Sequence, residues 1–369
     1  MHRLLTLAPL ALLAACGLNG TDTDTEGQRT SPAAVPAEPD NLADTLASDD
    51  DAYATTNQAE PRPVMQAQVV LERLGFGAGI IDGKPGLSTS NALKGFQEAS
   101  GLAVTGELDA ATKEALARWA RLPSTRTVTI PQDWGREAYA PVPKDPADQA
   151  KLTRLGYGSL EERLAERFHT TVEVLRSLNP APASPTAGPV AFQPGQTVVV
   201  PNVGADRIAP GEVEDNAWLA TMASLGVGTQ QPKVARIVVD KSEGWLKGYD
   251  EAGKLVAMFT VTTGSSHDPL PLGEWGINGV ARNTPFAYDP ALFWDVPDSH
   301  AKQQLPPGPN GPVGVVWIDL TKEHYGIHGT PEPQTIGRAE SHGCVRLTNW
   351  DAARLAQMVS GSTKVLFQA

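Results

Sequence analysis

Apolar positions recur along the chain in rhythms that change from one stretch to the next. Between residues 64 and 117 they fall at helical spacing in three short clusters. Val69, Val70 and Leu74 lead to Gly75. Ala92, Leu93 and Phe96 lead to Gly101, and Ala111, Ala115 and Leu116 follow Asp109, a candidate N-cap. Gly79-Ile-Ile-Asp82-Gly83-Lys-Pro-Gly86 punctuates the first two as a turn. This predicts a small all-α domain over 62–120. Residues 121–147, dense in Pro and carrying Trp134 and Tyr139, read as an ordered connector. Over 148–203, Ser159-Leu-Glu-Glu162 reads as a capping box opening a helix with Leu160, Leu164 and Phe168 on one face. Thr171 caps a second helix holding Val174, Leu175 and Leu178, and Gln196–Pro201 is an apolar strand. From about residue 234 the pattern becomes one of β-branched and aromatic runs between Gly, Pro and Asp turns: Arg236–Asp240, Trp245–Tyr249, Val256–Thr263, Val315–Leu320 and Val365–Phe367. Thr348-Asn-Trp-Asp351 caps a late helix with Ala352, Leu355, Ala356 and Val359 on one face. The expectation for 234–369 is a mainly-β domain, a sandwich with one or two helices. The Pro/Gly-rich stretch from Asn283 to Pro312 is too long for an ordinary connection and reads as a lid.

The N-terminus carries a different signal. Met1-His2-Arg3 precedes an apolar run from Leu4 to Ala15, broken by Thr6 and Pro9, and then Cys16. That is the form of a secretory signal over 1–15, too short to span a bilayer. Residues 16–61, rich in Thr, Asp, Ala, Pro and Glu, cannot bury enough surface to fold and read as a disordered acidic tether. Length adds that the 369 residues hold several domains, and the net charge of −12 argues against a nucleic-acid partner. The chain has two cysteines, Cys16 and Cys344. With one at the end of the signal, an unpaired thiol is left in a compartment that permits disulfides, which invites a catalytic explanation.

The stretch around that thiol reads His328-Gly-Thr-Pro and then Ser341-His-Gly-Cys344-Val-Arg346. A thiol of ordinary pKa, about 8.5, needs a neighbouring imidazole to become a nucleophile. Gly343 allows backbone amides to approach a reacting carbonyl. Two other readings fit the residue types. Cys344 with His328, His342 and His324 is a conceivable zinc set, His324 and His328 sharing a face if Glu323–His328 is a strand; and Cys344 could be a buried small hydrophobe. His169, His267 and His300 read as surface or loop residues without a constellation.

The motif resembles the catalytic signature of the YkuD-type L,D-transpeptidases, with every fixed position filled from His328 to Arg346. The resemblance implies Cys344 as nucleophile, His328 as its base and the Gly329 carbonyl as the group fixing the imidazole tautomer. Gly343 and Cys344 would supply oxyanion amides. Arg346, Ser341 and His342 are expected on the substrate side, His342 also shaping the turn and Arg346 having a structural ion pair as its alternative. It also implies L,D-transpeptidase activity on peptidoglycan stem peptides through a thioester, giving 3→3 cross-links, without metal or cofactor and open to carbapenem inhibition. Hydrolysis or transfer to a protein lysine at the same site, or a non-catalytic wall-binding scaffold, are the alternatives. Leu74-Gly-Phe76, Asp82-Gly83, Leu93…Phe96-Gln97, Gly101-Leu102 and Val104-Thr-Gly106 resemble the peptidoglycan-binding domain 1 family. Phe168…Leu178-Asn-Pro and Pro-Gly-Gln…Val-Pro resemble a degenerate LysM module, a βααβ fold that binds glycan. Leu13-Ala14-Ala15-Cys16 resembles a lipobox, so Cys16 is expected to carry lipid and to anchor the protein to the membrane in the periplasm, at the outer membrane of a Gram-negative cell.

Overall fold

A computed structural model of the chain describes residues 62–369 apart from 181–190, 205, 210 and 297–299. The expected signal, Cys16 and the tether lie outside the described residues. Helices α1 (Pro63–Arg73), α2 (Leu87–Ala99) and α3 (Ala110–Leu116) form the first unit. Pro opens α1 where its missing N–H has no partner to lose, and Asp109 caps α3 by accepting from the Thr112 amide. Two buried glutamines build the turns by the same device. Gln68 Oε1 accepts from the Asp82 and Gly83 amides while its Nε2 reaches the Thr89 hydroxyl. Gln97 repeats this with Thr105, Gly106 and Thr112.

Strand β1 (Thr125–Thr129) pairs antiparallel with β2 (Thr197–Pro201), Thr125 opposite Pro201. After a single turn, α4 (Pro146–Gln149), helices α5 (Leu160–Arg167) and α6 (Val172–Leu178) pack Leu164, Phe168 and Leu175 onto Val198 and Val200. Ser159 caps α5, and the Glu162 carboxylate returns to the Gly158 amide rather than to that of Ser159. The first strand of this βααβ unit lies within the stretch read as connector. Thr125-Arg-Thr-Val-Thr129 is β-branched enough to pair, but Pro123 and Pro131 bracket it and hide the signal.

Helix α7 (Asn216–Leu225) leads into the C-terminal domain: β3 (Arg236–Asp240), β4 (Trp245–Tyr249), β5 (Leu255–Thr260), β6 (Gly273–Arg282), the hairpin β7 (Phe286–Tyr288) and β8 (Gln303–Leu305), β9 (Val316–Leu320), β10 (Gly326–His328), β11 (Val345–Arg346), α8 (Asn349–Met358) and β12 (Lys364–Gln368). Instead of the two facing sheets of a sandwich, eight strands form one sheet in the order β11-β10-β9-β6-β12-β3-β4-β5. It curls because β6 serves both halves, its first residues pairing with β12 and its last with β9 across a bulge between Ile277 and Gly279. Inside the curl, Trp350, Leu355 and Ala356 of α8 meet Phe259, Ile318, Ile327 and Phe367. The expected lid is largely the β7–β8 hairpin, whose Tyr288 and Leu305 pack on Leu155 of the preceding segment. No helix among the described residues is long and apolar enough to cross a membrane.

The helical unit is built into this domain. Phe76 and Phe96 share a core with Val238, Leu255 and Met258. Gly77 N–H donates to the Met258 carbonyl at 2.7 Å, so the turn after α1 covers the β5 edge. His169, expected at the surface, is 2% exposed. Its Nδ1 meets Glu72 Oε1 at 3.0 Å, its Nε2 meets the Leu225 carbonyl at 3.0 Å, and its ring stacks on Trp350 at 4.8 Å. The partners lie far away in sequence, which is why no local pattern marks it.

Candidate active site

Strands β10 and β11 run parallel, Ile327 opposite Val345 and His328 opposite Arg346. Ile318, Ile327 and Val345 point into the core, so the alternating Trp317, His328 and Arg346 occupy the other face of the sheet. Cys344, one residue before Val345, falls on that same face, level with Gly326 and diagonal to His328. The sequence motif is thus brought together by register.

His328 is buried, and its Nδ1 lies 2.6 Å from the Gly329 carbonyl oxygen. A carbonyl only accepts, so Nδ1 carries the proton and Nε2 keeps its lone pair. Trp317 stacks on the imidazole with centroids 5.5 Å apart and planes at 22°. Gly326 leaves room for that indole, since a Cβ there would stand 2.6 Å from it. Trp317 Nε1 donates to Asp319, whose other oxygen accepts from Asn278. The imidazole is therefore held on its face and at Nδ1.

The turn carrying Cys344 is pinned from two sides. Ser341 Oγ donates to the Cys344 carbonyl at 2.6 Å, and the Ser341 amide to the Thr263 carbonyl. The chain beyond β5 pairs with β11 through reciprocal Thr262 and Arg346 backbone bonds. Gly343 sits at φ +97°, and a Cβ there would stand 2.5 Å from the Tyr325 ring. Both facts require glycine. Neither the Gly343 nor the Cys344 amide is taken up by a turn or loop hydrogen bond among the described residues. Ser341, expected beside substrate, is buried with its hydroxyl engaged by the main chain, so in this geometry it holds the turn. His342 Nε2 meets Asp295 Oδ1 at 2.8 Å, with the Phe293 ring edge-on at 5.1 Å, which ties the turn to the hairpin segment. Nearby, Trp294 stacks on His267 at 4.2 Å.

The electrostatics favour a neutral resting pair. Burial pushes the Cys344 thiol up to about 11, although the Gly326 amide and the Arg346 guanidinium favour its ionised form. Burial, and then the Arg346 charge, push His328 down to about 3 against the pull of the Gly329 carbonyl. Thiol and imidazole both rest uncharged at neutral pH, and the thiol donates to the His324 carbonyl at 3.8 Å. Arg346, whose own pKa burial lowers, has a buried Nε without a hydrogen-bond partner among the described residues. It makes no ion pair within 4 Å among the described residues, and the Cys344, Glu332 and Asp295 groups act on its charge from further away.

The zinc geometry considered for this stretch does not form. β10 begins at Gly326, and His324 sits at φ +67°, so it does not share a strand face with His328. Among the described residues no three His, Cys, Asp or Glu side chains gather for a metal. Sequence reasoning missed Trp317 and Tyr325. Trp317 had a signal, an aromatic on the polar face of a strand whose Val316, Ile318 and Leu320 alternate inward.

Residues 234–366 match the model of the YkuD family, described as the L,D-transpeptidase catalytic domain, and residues 61–116 that of a peptidoglycan-binding domain family. The chain is 29% identical over 208 residues to an L,D-transpeptidase, YkuD, of Bacillus licheniformis, spanning 56% of this chain and 93% of that protein. It is 41% identical over 183 residues to an L,D-transpeptidase from the ATP synthase subunits region of Fuscovulum blasticum, spanning 48% and 91%. Among solved structures, L,D-transpeptidase 3 of Mycobacterium tuberculosis, with a faropenem-derived adduct, aligns at 18% identity and a TM-score of 0.31 over 37% of this chain and 61% of that one, less than two thirds of its length.

Proposed function

Because the chain belongs to the YkuD family of L,D-transpeptidases, and carries a peptidoglycan-binding domain ahead of the catalytic one, we propose that it cross-links peptidoglycan stems 3→3 through a cysteine acyl-enzyme. Cys344 Sγ attacks the carbonyl of the third residue of a tetrapeptide stem as His328 Nε2 takes its proton. The Gly343 and Cys344 amides hold the oxyanion. Collapse breaks the peptide bond, the imidazolium returns the proton to the departing terminal D-Ala amine, and a thioester remains. The side-chain amine of a second stem's diamino acid then attacks, losing its proton to His328, and frees the thiol as the new amide forms. Arg346 is the group proposed to hold a stem carboxylate.

The observation that carries this reading is the imidazole's commitment of Nδ1 to Gly329, which leaves Nε2 basic on the sheet face that bears Cys344. The helical unit and the LysM-like βααβ unit would hold the wall polymer. A lipid on Cys16 would keep the chain at the outer membrane of the periplasm. Incubating the purified protein with disaccharide tetrapeptides and reading products by mass spectrometry tests the reaction. The expected product is a dimer lacking one D-Ala, absent with Cys344→Ala. Tripeptide without dimer would make water the acceptor, and unchanged substrate would remove the reading.

A further inference from the structure

Behind the His328–Gly329 segment lies a contact between the catalytic domain and the βααβ unit. Asn349, at the start of α8, is fully buried. Its Oδ1 accepts from the Val315 amide at 3.2 Å and lies so close to Gly329 and Gly314 that a Cβ at either would collide with it. Its Nδ2 donates twice, to the Pro309 carbonyl at 3.0 Å and to Glu166 Oε1 at 2.8 Å. Glu166 comes from α5 of the βααβ unit, 183 residues away in sequence, and is 7% exposed. That helix is clamped beside the same loop. Asn310 Nδ2 reaches Glu162 and the Gly156 carbonyl, and the Leu155 amide donates to the Pro307 carbonyl.

We propose that Glu166, acting through Asn349, is a positioning residue for His328, so that the βααβ unit braces the backbone whose carbonyl orients the base. The assignment rests on Cys344 and His328 being nucleophile and base. Its physical content lies in the Asn349 carboxamide. With both Nδ2 protons held, the amide cannot turn over, and its oxygen is fixed against the Gly329 peptide. Release the Glu166 end, and rotation becomes available to a group on which two glycine backbones are packed. The Gly329 carbonyl then loses its fixed aim at Nδ1, and the share of imidazole with a basic Nε2 falls. Stability above neutral pH accounts poorly for Glu166. Burial lifts its carboxyl to about 7, against the pull of the Tyr157 hydroxyl and the Asn349 amide. A buried acid is costly to keep ionised.

The test compares Glu166→Gln, which keeps an acceptor for Asn349 Nδ2, with Glu166→Leu, which removes it. Carbapenem acylation of the full chain is followed by stopped-flow, separating the maximal rate from the half-saturating concentration. Tautomer state is read from 15N shifts of selectively labelled histidine, with His328→Gln to assign the resonance. A misplaced base typically costs up to about 100-fold in rate without loss of binding. Glu166→Leu is therefore expected to lower the maximal rate at least ~10-fold, with half-saturation within ~2-fold, and to shift the His328 Nδ1 and Nε2 resonances toward mixed tautomers. Glu166→Gln is expected to restore both. If Glu166→Leu does not fold, Glu166→Asp, one methylene short of Asn349, is expected to show the same loss. Wild-type rate and tautomer in the folded acceptor-less variant would overturn the inference. Failure of the wild type itself to acylate would instead strike the proposed reaction, leaving the tautomer shift to decide the positioning role alone.

Discussion

Replacing Arg354 by Met should loosen the whole assembly of units, because this side chain closes a buried charge cluster shared by all of them. Arg354 Nη1 lies 3.0 Å from Glu72 Oε1 and donates to the Glu72 carbonyl at 2.8 Å, with side-chain exposures of 5% and 2%. Glu72 belongs to α1, Arg354 to α8, and His169, which meets the same oxygen, to the βααβ unit. Burial pushes the Glu72 carboxyl up, but Arg354 and His169 outweigh it and hold it below its ordinary value. Asp351 beside them is driven well up by burial and then by the Glu72 charge. Removing one partner of such a pair strands a buried charge and costs about 3–5 kcal/mol. A folded chain of this size loses roughly 1.6 °C of Tm per kcal/mol, so Arg354→Met should melt about 5–8 °C below wild type. Most of that loss is the orphaned carboxylate rather than the lost attraction. Adding Glu72→Gln, whose one oxygen still accepts from the Ala78 amide while its NH2 faces His169 Nδ1 as a donor, and which carries no charge, should recover at least half of it. Calorimetry of the single and double variants reads both values. A shift under about 2 °C for Arg354→Met, or a double variant less stable than the single, would refute the reasoning.

Three further outcomes are expected. In a Cys16→Ser background, alkylation of Cys344 by iodoacetamide should keep rising about tenfold per pH unit toward pH 11, without a plateau near the ordinary thiol value of about 8.5; a plateau near neutrality would show a preformed ion pair instead. Glu166 ionises near 4.5 in the unfolded chain and near 7 when folded, so the stability it contributes is complete below about 4.5 and lost as pH rises through about 7. Urea titrations should therefore show Glu166→Gln gaining on wild type across that window and levelling above it, and a gap independent of pH would contradict this. Gly343→Ala places a Cβ at φ +97° against Tyr325 and displaces the amide proposed to hold the oxyanion, so the maximal acylation rate should fall about 10²–10³-fold, measured by stopped-flow; a wild-type rate would dissociate Gly343 from the oxyanion.

The convergence of the candidate site was legible because it is compressed: from His328 to Arg346, two strand ends and one turn bring together the residues that the motif names. What surrounds it was not. β6, the longest strand, is interrupted by Gly273, Gly276 and Gly279, which depress β-propensity where the sheet has to bend. β10 and β11 are too short to carry a period. β1 is concealed between prolines, and the sandwich expectation failed because alternation reports a buried face without reporting that one strand serves two sheet halves. The largest misreading, His169 at the surface, concerns a residue satisfied by Glu72 and Trp350, 97 positions before it and 181 after. Glu166 and Asn349 are hidden for the same reason. Pairs that join units leave no local spacing, and only the folded chain puts the two polar side chains within reach of each other.

The central claim is that Cys344 is an acyl acceptor armed by His328, and intact-protein mass spectrometry after incubation with a carbapenem tests it most directly. The strained lactam carbonyl presents the same attack geometry as a stem peptide, and opening it leaves the whole drug on the sulfur. The account predicts a gain of one drug mass in wild type and none in Cys344→Ala. In His328→Ala it predicts a rate lower by about 10³ or more, and no further loss on combining the two, since nucleophile and base act as one unit. An adduct that persists in Cys344→Ala, or wild-type acylation in His328→Ala, would contradict it.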